Sequence, residues 1–371
     1  MTVLLCTAFL SAQETGSVFQ ASMTSSGRNR PLIDLRSDDL LKLCALLHER
    51  VPHGELLRRL GIAEEELQRR LALLRDEGLA KTSGDRMLPT AVVVTFDDAG
   101  KYFHPDDRLV ESAADLIVKK LPEVKAYCRE LKSLADVPFE SMSFFILSDV
   151  LLDNWQISNV ERLFVRADRT LRAGGRYYLN ILEKSATSAA EPFGLYGNTG
   201  SPWGPVQVGL YGNDRFSGHT LLSIPDAALN QMFDLGSSMG LKEAQALLVE
   251  QVVQATRSGS NPFTASQRQA LSQVGLMHDD KVSVLLLQED DYRALDQVAA
   301  VVTSDLMSLL ESNRGRILSL FRTSPYGEET SFNEYLVLWY HFFFAEVTNR
   351  LRDKGVLRLP ANGTMTYFVV P

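Results

Sequence analysis

The chain has 371 residues, 45% of them hydrophobic and 23% charged, an ordinary folded composition that excludes a wholly disordered protein. That length exceeds one average domain of roughly 100–200 residues, so two or three domains are expected. Thirty-eight Lys and Arg against 46 Asp and Glu give a net charge of −8, which excludes a histone-like coat on nucleic acid but leaves room for locally placed cations.

Cys6, Cys44 and Cys128 are too few and too scattered for a disulfide framework or a Cys-rich zinc site, so reducing cytoplasm is the expected compartment. Cys44 sits in the apolar run Leu40 to Leu47 and reads as a buried thiol. The apolar opening Met1 to Ala12 hints at a signal peptide, yet no positive residue precedes it and it is short for that role. Residues 13–30 are rich in Ser, Thr and Gly, so 1–35 is expected to be a flexible tail; a true start at Met23 would account for both features. No uninterrupted apolar run approaches the ~18 residues of a membrane span, and no membrane partner is expected.

Folded sequence is expected from Ser37, an N-cap for a helix carried by Asp38, Asp39, Leu40 and Leu41 and ended by Pro52. Glu55 to Leu60 makes a second short helix, and Gly61-Ile62-Ala63 breaks it. A third runs from Glu64 to Glu77, with the stripe Leu67, Leu71, Leu74 at helical spacing and Gly78 as its C-cap. After it come Leu79 to Thr82, the turn Ser83-Gly84-Asp85 and the strand-like Ala91 to Phe96.

Three helices followed by a β-hairpin are the order of a winged helix. The turn Leu60-Gly61-Ile62, the Leu67/Leu71/Leu74 helix and its exit Leu74-Arg75-Asp76-Glu77-Gly78-Leu79 resemble the winged helix-turn-helix superfamily, particularly its MarR-like bacterial members. Val94 to Gly100 resembles the strand-to-helix signature that closes such domains. The resemblance covers residues 36–104 and implies a transcription regulator that binds DNA as a homodimer. On that reading Gln68 and Arg69 read base edges, Arg70 and Arg75 hold the phosphate backbone, and Lys81 and Arg86 flank the wing. Glu64, Glu65 and Glu66 suit the helix dipole but repel phosphates. Residues 36–104 hold 11 Lys and Arg against 12 Asp and Glu, where a strong DNA binder is positive. A winged helix that docks a protein without DNA is therefore the alternative.

A helical connector is expected over 105–138, carried by Leu109, Ala113, Leu116 and Ile117 and broken or kinked at Pro122. Residues 139–371 read as a mixed α/β domain for a small molecule or a partner protein, giving an α+β chain overall. Its expected elements are a helical stretch from Phe144 to Val165 and a strand over 176–182. Helices near 226–234, 242–256 and 264–274 follow, then a strand at Val282 to Leu287. Helices near 294–311 and 332–353 precede a last hairpin, Val356–Leu359 with Met365–Val370, turned at Asn362-Gly363. That closing order echoes the exit from the third helix, so a second, degenerate winged helix is one reading of the C-terminus and a generic helix-to-hairpin exit is the other.

Two features of this domain point to a ligand. Leu195-Tyr196-Gly197-Asn198 repeats as Leu210-Tyr211-Gly212-Asn213, and seven of the chain's 24 glycines fall between Gly194 and Gly218. Aromatics interleave with them, which suits a loop closing over a ligand through Tyr196, Asn198, Trp203, Tyr211 and Asn213. Packed cross-strand pairs in a hairpin are the competing reading. In Ser148-Asp149-Val150-Leu151-Leu152-Asp153-Asn154-Trp155, Asp149 and Asp153 are spaced i, i+4, as an acid–base pair or a cation site requires; a solvated helix face is the plainer reading. An enzyme with an appended winged helix is thus a second alternative. No catalytic residue, metal site or cofactor motif is assigned, because His48 with His53 misses the zinc-protease spacing and no phosphate-binding glycine motif is present.

Overall fold

In the computed structural model, which describes residues 3–4, 18–188, 191–215, 220–222, 230–231, 240–282 and 284–371, helix α1 runs Leu40–His48, α2 His53–Leu60 and α3 Glu64–Glu77. Gly61 and Gly78 end α2 and α3 with φ of 64° and 82°, a conformation open to residues without Cβ. Leu79 N donates to Leu74 O at 2.7 Å and closes the α3 terminus. Ser37 does not cap α1. Asp38 and Asp39 adopt positive φ (56° and 51°), which Asp tolerates, and a turn precedes the helix.

The chain divides into two compact units, each assembled from three stretches. The first comprises Met1–Ser112, Ile157–Ser188 and Asp305–Glu346; the second comprises Ala113–Gln156, Ala189–Ser304 and Val347–Pro371. Residues 36–104 lie within the first unit, whereas 105–138 and 139–371 each contribute to both.

In the first unit, α3 leads into strands β2 (Ala80–Ser83) and β3 (Arg86–Pro89), an antiparallel pair, and then β4 (Val92–Val94). A separate sheet is built on β5 (Gly175–Lys184). It pairs in parallel with β4 and antiparallel with β1 (Val18–Ser26), from Val18↔Lys184 to Ser25↔Tyr177. Residues 18–26 are thus a strand where a flexible tail is expected, and Met23 is buried near its centre. Phe19, Ala21 and Met23 alternate with Gln20, Ser22 and Thr24, and the apolar set joins one core with Leu43, Leu67, Leu74, Leu179 and Ile181. Full burial of each core leucine contributes about 1.5–3 kcal/mol. The end of α3 is fastened by Glu77, which accepts the Tyr177 hydroxyl at 2.6 Å and Leu32 N at 3.1 Å.

The second unit contains a four-stranded sheet. β6 (Gly197–Trp203) and β7 (Val206–Gly212) are antiparallel, β9 (Thr364–Val370) pairs antiparallel with β7, and β8 (Leu285–Gln288) runs parallel to β9. Residues 356–359 form no strand, so the expected C-terminal hairpin is absent and with it the basis for a second winged helix. β9 takes its partners from distant segments because Tyr367 and Phe368 find buried surroundings there. Lys281–Val282 and Leu285–Gln288 are separate short strands in place of one.

Helices Leu241–Ser258, Ala265–Gln273 and Phe332–Asp353 lie close to their expected spans, the second opened by a Thr264–Gln267 capping box. Glu289–Thr323 is longer than expected, and Asp107–Glu130 continues through Pro122 without ending there. Apart from 230–231, the helix expected at 226–234 lies outside the described residues. The whole is a mixed α+β fold. No helix among the described residues is long and apolar enough to cross a membrane.

Candidate functional site

Ser148, Asp149 and Asp153 lie where a helix changes gauge. Phe139–Phe144 is α-helical, and Phe145–Val150 widens into π-helical turns, a feature frequent at functional sites. Asp153 N donates to Asp149 O at 3.1 Å, so the two carboxyls stay one turn apart. Neither forms the solvated face of the plainer reading, because both are buried.

The two Tyr-Gly-Asn repeats meet across β6 and β7, with Gly197 opposite Gly212 and Asn198 opposite Tyr211. Tyr196, Asn198, Trp203 and Tyr211 are buried. The described part of the Gly/aromatic region is therefore a hairpin within a sheet, as the competing reading has it, in place of a loop closing over a ligand. Phe216 and Gly218 lie outside the described residues.

The hairpin and the π-helical segment come together in one polar group. Asn198 Nδ2 donates to Asp149 Oδ2 at 2.7 Å and lies 2.9 Å from the Tyr367 hydroxyl. Ser148 Oγ lies 2.6 Å from the Tyr211 hydroxyl and 2.7 Å from Thr348 Oγ1. The Tyr196 hydroxyl donates to Asn349 Oδ1 at 3.1 Å. Arg215 binds Glu191 at 2.7 Å and the carbonyls of Gly197 and Gly212, which pins the open end of the hairpin. Asn213 lies at that end, its N–H donating to Gly363 O at 3.2 Å. Trp203 stands apart, in an apolar cluster with Val206, Leu248 and Val252.

Rings enclose this group: Phe145 packs on Tyr367 at 4.8 Å, and Phe144 on Tyr211 at 5.0 Å. Burial pushes the Asp149 carboxyl up, and the Asn198 amide only partly offsets it. Burial and then the neighbouring Asp149 push Asp153 up. Asp149 Oδ1 and Asp153 Oδ2 have no hydrogen-bond partner among the described residues. Both carboxyls are thus pushed toward their protonated forms, and the chemistry open to them is exchanging a proton or receiving a cationic group. Among the described residues no group of three or more His, Cys, Asp or Glu is arranged to hold a metal ion.

The residues expected at a DNA interface lie on α3 and the β2–β3 hairpin of the first unit. Gln68 is exposed and donates to Glu64 at 2.8 Å. Arg69 is exposed but held at 2.7 Å by both Glu66 and Asp38. Arg70 is buried, its Nε donating to Glu66 at 2.8 Å, which removes it from the phosphate-contacting set. Arg75 is exposed and 3.6 Å from Asp76. Lys81 and Arg86 are exposed on the hairpin, at neighbouring cross-strand positions (Lys81↔Leu88, Ser83↔Arg86).

His48, at the end of α1, is structural. Its Nδ1 lies 2.7 Å from Glu329 and its Nε2 3.1 Å from Asp98, and its ring stacks on Tyr326 at 5.3 Å. Burial alone would lower its pKa, but the two carboxylates outweigh that and raise it to about 9. His341 likewise bonds within the fold, to Val337 O at 2.7 Å. Sequence reading missed the buried pair Arg172–Glu334, at 2.9 Å, in which Glu334 also accepts Leu179 N at 3.0 Å. No protein-family model, curated protein or solved structure matches this chain.

Proposed function

We propose that the chain is a DNA-contacting regulator in which residues 36–104 act as a winged helix and the β2–β3 wing supplies the first phosphate contacts. The observation that carries this reading is the contrast in ion pairing along the module. Arg69 and Arg70 are engaged by the protein's own carboxylates, whereas Lys81 and Arg86 stand exposed on the hairpin and form no ion pair with another described residue. Exposed pairs such as Arg69–Glu66 are worth only about 0–1 kcal/mol, so Arg69 exchanges its partners for a base edge once the wing is seated. The near-neutral module binds as a homodimer, because one copy offers few cations. The second unit is the proposed sensor for a small molecule or partner, through the Asp149, Asp153 and Asn198 group.

Fluorescence polarisation on a labelled random-sequence duplex tests the assignment. Lys81→Ala with Arg86→Ala is expected to weaken binding by more than about tenfold, and Arg69→Ala by less. Equal affinity in the wing variant overturns it.

A second reading has its own support. Glu64, Glu65 and Glu66 crowd the first turn of α3, and that acidic end suits a basic protein surface better than a phosphate backbone. A stable protein complex that survives the Lys81 and Arg86 substitutions, with no DNA binding, selects this reading.

A further inference from the structure

The first unit contains a cleft that none of the preceding assignments uses. It has a volume of about 350 Å³, within the usual range of small-molecule sites, roughly 300–1,000 Å³. One wall is a single face of the helix Glu289–Thr323, where Asn313, Arg316, Ile317 and Leu320 recur at helical spacing. Lys101 and His104 line it from the segment between β4 and the helix Asp107–Glu130, Leu109 from the first turn of that helix, and Trp339 from the helix Phe332–Asp353.

We propose that this cleft binds a small organic anion, an oxygen-bearing acid group on an apolar body. Lys101 and Arg316 bring positive charge and only donate hydrogen bonds, while Leu109 and Leu320 provide apolar surface. Trp339 supplies the independent observation. Its side chain is 2% exposed, and its indole N–H has no acceptor among the described residues. A buried donor left unmatched is costly, and an anionic oxygen in the cleft would accept it.

Asp106 is the acid among the lining residues, and it takes on Arg316 the position that the ligand's acid group would take. It accepts from Arg316 Nη1, and its other oxygen accepts from Arg108 N at 2.9 Å and Leu109 N at 3.2 Å, opening the helix that follows. Lys101 is similarly engaged by Asp97 at 3.1 Å. Both cations are well exposed, with side-chain exposures of 68% for Arg316 and 60% for Lys101. Such pairs yield readily to a ligand that also offers the indole an acceptor. Asp106 thus acts as an internal competitor for the ligand's acid group.

The indole N–H resonance of Trp339 in the full-length protein, identified by its disappearance in Trp339→Phe, reports on the cleft directly. Phenyl phosphate and benzoate serve as probes, and neutral benzamide is the control; the stronger of the two anions identifies the preferred acid group. The resonance should move with an anion and not with benzamide at ~10 mM. Arg316→Gln should weaken binding at least about tenfold. Asp106→Asn keeps an oxygen for the helix start but frees Arg316, so it should tighten binding several-fold, a gain that a purely structural role does not produce. An unmoved resonance with both anions, an equal response to benzamide, or weaker binding in Asp106→Asn overturns the proposal.

Discussion

Asp149 and Asn198 are 49 residues apart in the chain, yet the amide of one donates to the carboxyl of the other at 2.7 Å inside a wall of aromatic rings. This bond joins a π-helical turn to a β-hairpin and leaves one oxygen of Asp149 and one of Asp153 without a partner among the described residues. Such an arrangement is costly with both groups ionised and comfortable when they hold protons.

The sign of the resulting pH dependence follows from that preference. Both carboxyls have pKa values raised above the ordinary Asp range, so the folded state holds protons that the unfolded chain releases above about pH 4. Their contribution to stability therefore falls as pH rises. Asp153→Asn removes one charge from the pair and should recover about 1–3 kcal/mol at pH 8 relative to pH 5. Urea denaturation at the two pH values checks this, and a variant with the wild-type pH dependence would contradict it.

Gly209 faces Tyr367 directly across the β7–β9 ladder, and the Tyr367 ring fills the space where a Cβ would stand. Gly209→Ala should displace the ring, loosen the Tyr367–Asn198 contact and cost about 1–3 kcal/mol. Thermal denaturation measures the cost. Near-ultraviolet circular dichroism reports the moved tyrosine.

His48 follows the same sign, losing its contribution as pH rises. Its folded pKa of about 9 lies above its usual 6.5, so the stabilisation is complete below pH 6.5 and is lost as pH rises through about 9. His48→Gln should be destabilised most at pH 6, and the gap to wild type should close by pH 10. A gap independent of pH would show that the ring acts by packing on Tyr326 alone.

Arg172 and Glu334 form a fully buried pair, so removing one member leaves an uncompensated charge. Glu334→Ala should cost about 3–5 kcal/mol, whereas a double replacement by apolar residues of similar volume should recover much of it. Comparing both variants with wild type by denaturant midpoint separates the two outcomes.

Much of the first unit's local structure was legible in the sequence. The Leu67, Leu71, Leu74 stripe, Gly61, Gly78 and the Ser83-Gly84-Asp85 turn encode α2, α3 and the hairpin within a few residues of chain. β1 was hidden by its Ser, Thr and Gln content, although Phe19, Ala21 and Met23 carry the two-residue period of a strand. The C-terminal strand was placed correctly but paired wrongly, because its partners β7 and β8 are distant and a nearby turn signal at Asn362-Gly363 suggested a hairpin. Asp149, Asn198 and Tyr211 each stood out locally. Their meeting depends on tertiary packing, which spacing along the chain does not encode.

The most direct test of the DNA reading is the salt dependence of affinity for a random-sequence duplex, wild type against Lys81→Ala with Arg86→Ala. Each phosphate contact contributes about 0.9 to the slope of log K against log salt, so losing the two wing contacts should reduce its magnitude by about 1.8. A wild-type affinity that does not vary with salt, or a slope unchanged in the wing variant, would contradict the account.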